Sequence, residues 1–108
     1  MIYTIDQLKE RIAPIAAKYG LRAVWVFGSY ARDEATESSD VDFLIDRTGS
    51  SVKSLFQMGG VYGDFSEAVG KSIDLVTTTG IAQKSSAEMS PNLSRNVYGE
   101  RKIIYERQ

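Results

Sequence analysis

The sequence predicts a small α/β (α+β) fold, a mixed β-sheet flanked by helices. Three observations predict it. Runs rich in β-branched and aromatic residues are interleaved with segments of helical periodicity, in the order α-β-(turn)-β-α-β-α-β. Glycine and proline punctuate the joins. No repeat, linker or low-complexity segment divides the 108 residues, which are enough for one domain, 1–108, with one modest core.

The first element spans 4–19, TIDQLKERIAPIAAKY, with Ile5, Leu8, Ile12, Ile15 and Ala16 recurring on one face. Thr4 or Asp6 can cap it, Pro14 is expected to kink or restart it, and Gly20 is the expected stop. LRAVWVF (21–27) and VDFLI (41–45) read as buried strands, and SIDLVTT (72–78) as a third with an aspartate inside it. Between the last two, 50–70 carries helical periodicity through Val52, Leu55, Phe56, Phe65 and Val69. Gly59-Gly60 is expected to interrupt that helix and Gly70 to end it. The tail, 90–108, reads as a short proline-started helix and a last strand around KIIYE.

Composition excludes whole classes of chemistry. Apolar residues make up 43% and charged residues 25%, as in an ordinary globular protein. A net charge of -1 gives no basic footprint for direct nucleic-acid or acidic-membrane binding. No apolar segment resembles a signal peptide or approaches bilayer-spanning length, so a cytoplasmic location without membrane association is expected. The chain has no Cys and no His, which removes disulfides, thiolates, zinc–sulfur sites and every His-based catalytic pair. An enzyme of this composition must work with carboxylates, Lys, Arg, hydroxyls, backbone amides and a bound hard cation.

Three aspartates stand where aspartate is disfavoured. Strand alternation puts Asp40 and Asp42 on one face with Cα atoms roughly 6.5 Å apart. Asp74 lies within SIDLV, where an unpaired carboxylate facing the core would cost several kcal/mol. If the 72–78 strand pairs beside 41–45, all three can share one face and bind one cation, or two about 3.5–4 Å apart. Three hard oxygen donors suit Mg²⁺, which keeps waters and takes further ligands from substrate phosphates. Gly28-Ser29 then closes the other end of such a site. Glycine lets a phosphate approach the backbone, the amides and the Ser29 hydroxyl can donate to it, and Arg32 lies one turn on in SYARDEA.

Each residue also has a plainer reading. Gly-Ser after a strand is usually a turn, and Ser38-Ser39-Asp40 could be an Asx-type turn. Asp42 and Asp74 could pair with Arg22, Arg32 or Lys71, and Asp46, at the far end of its strand, is expected to be solvated. The plain readings require three coincidences on one sheet. The stretch is neither a P-loop, since GSYAR lacks the lysine and the flanking glycine, nor an EF-hand.

GSYARDEATESSDVDFLID, with Gly-Ser, ten residues and Asp-x-Asp, resembles the nucleotidyltransferase signature. With the later SIDLV it is similar to the DNA polymerase β-like superfamily, and the small size resembles the minimal nucleotidyltransferase (MNT) family over nearly the whole chain. The resemblance implies a polymerase β-like core that uses ATP and two Mg²⁺ ions. It implies that Gly28 and Ser29 hold the triphosphate, that Asp40 and Asp42 bind the metals, and that Asp74 helps bind one and activates the attacking hydroxyl. It further implies an antitoxin assembled with a HEPN-family toxin, to one of whose tyrosines AMP is transferred. Asp33 departs from the pattern, standing where many members have glycine after Ala-Arg. Two other readings compete: an antitoxin that acts by binding alone, and transfer to a small molecule of the aminoglycoside type.

Overall fold

The structure, a computed structural model, describes residues 2–78 and 101–107. Its elements run α1 (Ile5–Tyr19), β1 (Ala23–Phe27), β2 (Val41–Asp46), α2 (Leu55–Val69), β3 (Ile73–Thr77) and β4 (Lys102–Glu106). The four strands form one sheet in the order β3-β2-β1-β4. β1 is antiparallel to both β2 and β4, whereas β2 and β3 are parallel, so the sheet is mixed as expected. β2-α2-β3 is therefore a crossover unit, the connection that parallel neighbours require.

α1 starts at a capping box in which the Thr4 hydroxyl accepts from the Gln7 amide and the Gln7 side chain accepts from the Thr4 amide. It ends at Gly20, which adopts the left-handed conformation at φ 70°. The helix runs through Pro14 without the restart that was one of the two expectations. Proline removes only the bond to the Glu10 carbonyl, and both residues are exposed, so water can satisfy that oxygen. Leu8, Ile12 and Ala16 are fully buried on the sheet side, holding the helix in place.

α2 also runs unbroken through Gly59-Gly60, and it starts at the Ser54 cap rather than at 50. Met58, Val61, Phe65 and Val69 anchor it to the sheet, and that burial outweighs roughly 1 kcal/mol of helix propensity lost per glycine. Gly60 has a local reason, because a Cβ there would meet the Tyr19 hydroxyl at 3.1 Å. Phe56 corrects the expected apolar face. It is 91% exposed, on the side of the first turn away from Met58 and Val61.

Alternation along the strands divides the sheet into two faces. Val24, Val26, Val41, Phe43, Ile45, Ile73 and Leu75 point to the helices and form the main core, with Phe43 edge-on to Phe65 at 5.1 Å between centroids. Phe27, Leu44 and Val76, with the partly buried Trp25, cluster on the opposite face. The expected last strand around KIIYE is β4, with Ile104 buried. The helix expected after Pro91 lies outside the described residues.

Candidate active site

Asp42 and Asp74 are the second residues of β2 and β3, and the parallel register pairs them directly. Neighbouring strands lie about 4.8 Å apart, so the two carboxylates leave the same face of the sheet side by side. That face is the one bearing Phe27, Leu44 and Val76, away from both helices. On the other side of β2, Asp42 pairs with Phe27, the last residue of β1. Gly28 follows immediately and turns the chain over Asp42 at φ +70°.

The contact between Gly28 and Asp42 is close. A Cβ on Gly28 would lie 2.5 Å from Asp42 Oδ2. The glycine is therefore required twice, by its backbone conformation and by the oxygen occupying the space a side chain would take. From Gly28 the chain coils through one hydrogen-bonded turn, Arg32 N donating to Gly28 O at 3.1 Å and Glu34 N to Ser29 O at 2.8 Å. Tyr30 and Ala31 are buried, anchoring the turn. Asp33 holds φ 60°, the only described non-glycine residue in the left-handed region, at the position where the resemblance places glycine.

Asp40 precedes β2 and is exposed, in the loop two residues before Asp42. Among the described residues no three acidic side chains converge closely enough to hold an ion unaided. Asp42 and Asp74 are fixed by the sheet, whereas Asp40 belongs to the loop. The donor set fits Mg²⁺, being all hard oxygen, and the absent Gly28 side chain leaves Asp42 Oδ2 free to lie against the turn.

Each cation considered as a partner has a contact of its own. Arg22 pairs with Asp46 at 3.4 Å, Arg32 Nε donates to Glu34 at 2.8 Å, and Lys71 Nζ donates to the Tyr30 hydroxyl at 3.3 Å and the Glu37 carbonyl at 3.0 Å. Asp46 is thus half-buried rather than solvated. Partial burial pushes its pKa up, but hydrogen bonds from Thr48 with the charges of Arg22 and Arg107 outweigh burial and hold it below 3.8. The sequence signals that Tyr30 matters by placing an aromatic directly after Gly-Ser. It gives no sign that Lys71 reaches back to that loop, because such a contact spans elements.

The family profile described as polymerase beta, nucleotidyltransferase matches residues 10–108. A Methanocaldococcus jannaschii protein, named as a candidate protein adenylyltransferase, is 36% identical over 77 residues, covering 71% of this chain and 81% of that protein. A chain of a toxin–antitoxin crystal structure with AMP-PNP matches with a TM-score of 0.69 at 18% identity, over 93% of this chain and 74% of that chain. A chain of the tri-AMPylated Shewanella oneidensis HEPN toxin in complex with MNT antitoxin matches with a TM-score of 0.64 at 16% identity, over 97% and 75% of the two chains. At those identities the structural likeness speaks for the fold. The profile, by contrast, runs through the Gly28 turn and all three aspartates, so the chain belongs to the polymerase β-type nucleotidyltransferase family.

Proposed function

We propose that this chain transfers AMP from ATP to a tyrosine hydroxyl of a partner HEPN toxin, and that it acts in this way as the toxin's antitoxin. The observation that carries the proposal is the pairing of Asp42 with Asp74 across β2 and β3, directly below a glycine that leaves no room for a side chain. The relative named as a candidate protein adenylyltransferase and the AMPylated toxin in complex with an MNT antitoxin support a toxin as the acceptor. Residues 1–108 act as one nucleotidyltransferase domain, in the cytoplasm where ATP is available, and the partner presents the acceptor.

In this reading Asp40, Asp42 and Asp74 would hold two Mg²⁺ ions, whose chemistry would be to favour the phenolate form of the acceptor tyrosine and to offset charge on the departing pyrophosphate. The amides and hydroxyl of the Gly28-Ser29 turn orient the triphosphate, and Arg32 can leave the exposed Glu34 to meet a phosphate oxygen. Asp74 would accept the acceptor's proton. The new bond joins the tyrosine oxygen to the α-phosphorus, and the α–β phosphoanhydride bond breaks as pyrophosphate leaves.

The test is transfer of label from α-³²P-ATP to the purified toxin in the presence of Mg²⁺. Asp42→Asn is expected to lower labelling by about 10³-fold or more, with the melting temperature preserved. Full labelling by that variant would refute the assignment. A neutralisation assay with Asp40→Ala and Asp42→Ala separates catalysis from occlusion, since protection by the double variant at equal expression would show that binding alone suffices.

A further inference from the structure

We infer that Lys71 is a positioning residue that ties both ends of the loop 28–40 to β3 and so sets the distance between the phosphate end and the metal end of the site. This rests on the nucleotidyltransferase reading above. The connection between antiparallel β1 and β2 is far longer than a hairpin needs, and long loops in compact domains are usually functional. It carries Ser29 at one end and Asp40 at the other, so the spacing of the proposed ligand groups depends on how the loop is held.

Lys71 stands between α2 and β3, three residues before Asp74. Its ammonium donates to the hydroxyl of Tyr30, next to Ser29, and to the carbonyl of Glu37, three residues before Asp40. It also lies 5.8 Å from the centre of the Tyr30 ring. Tyr30 is itself buried to 5% exposure, so the near end of the tie is fixed in the main core. The far half of the loop is closed on itself, Thr36 N donating to Ser39 Oγ at 2.8 Å and Ser39 N to Thr36 O at 3.0 Å. Lys71 thus joins two ordered halves of one loop and couples both to the strand carrying Asp74. Beyond Asp40, the Val41 amide bonds the Ser72 carbonyl, so the tie continues into the ladder between β2 and β3.

The experiment compares wild type, Lys71→Met, Lys71→Arg and Tyr30→Phe by calorimetric titration with AMP-PNP and Mg²⁺, and by hydrogen exchange of amides 29–40 in the ligand-free chain. Lys71→Met keeps the aliphatic stem and loses both hydrogen bonds. It is expected to weaken AMP-PNP binding about tenfold, to raise the Mg²⁺ concentration needed for half-saturation, and to speed exchange in the loop but not in β2 or β3. Lys71→Arg, whose guanidinium can reach both acceptors, is expected to stay within about threefold of wild type. Tyr30→Phe is expected to fall between the two. Unchanged loop exchange in Lys71→Met overturns the tie, whatever the titration gives. Faster exchange with wild-type nucleotide affinity overturns the positioning role and leaves a structural contact. Failure of the wild type to bind AMP-PNP overturns the nucleotide reading, and the positioning role with it.

Discussion

Gly28→Ala perturbs the site at its tightest point, and two separate effects follow. At φ +70° an alanine pays the left-handed penalty, about 1–2 kcal/mol, which corresponds to roughly 4–8 °C of melting temperature per kcal/mol in a domain near this size. The new Cβ would also stand 2.5 Å from Asp42 Oδ2, where ordinary van der Waals contact begins at 3.4 Å. The carboxylate must therefore retreat by roughly 1 Å, and a misplacement of that size in a catalytic group reduces rate about 10²-fold. Gly70→Ala supplies the control. Gly70 has φ 64° and nothing within 4 Å of the position a Cβ would take, so it shares the backbone penalty without touching the site. The assay is transfer of labelled AMP to the toxin, read beside thermal melting for both variants. Comparable melting with a hundredfold lower transfer rate for Gly28→Ala alone is the expected pattern. Equal activity in the two variants would refute the reasoning that the position of Asp42 governs catalysis.

Two further predictions concern the loop and the pH dependence of stability. Asp33→Gly relieves a left-handed residue at φ 60° and is expected to raise stability by about 0.5–1 kcal/mol in urea denaturation, whereas unchanged stability would show that the loop carries no backbone penalty there. The Tyr19 hydroxyl donates to Asp64 at 2.7 Å, and Lys18 approaches the same carboxylate at 3.2 Å. The hydrogen bond from Tyr19, with that from Lys18, holds Asp64 below 3.8, so its contribution is complete above pH 3.8 and is lost as pH falls through the lowered value. The same bond raises Tyr19 above 10.0, so that contribution is complete below pH 10.0 and is lost as pH rises through the raised value. The stability difference between wild type and Tyr19→Phe should therefore be flat through neutral pH and narrow at both extremes, and a difference that does not change with pH would contradict the assignment.

What was legible in the sequence was whatever rests on neighbours along the chain. Thr4 and Gln7 form a capping box because they are three residues apart, and the apolar period of 4–19 places α1 without reference to anything else. The absence of His and Cys restricts the site to oxygen chemistry. The misreadings arose where a local rule met a distant contact. Pro14 and Gly59-Gly60 are breakers by propensity, yet the burial of Leu8, Ile12, Met58, Val61 and Phe65 keeps both helices whole. Phe56 fits the apolar list by type and still faces outward, because a helix rotates by about 100° per residue and Met58 with Val61 fixes which side meets the sheet. Tertiary structure alone decided the register that sets Asp42 beside Asp74, the reach of Lys71 to Tyr30 and Glu37, and the fit of Gly28 over Asp42 Oδ2. The sequence names these groups. Their distances depend on how β1, β2 and β3 align, and that alignment is set by burying both faces of the sheet at once, a condition no single segment carries.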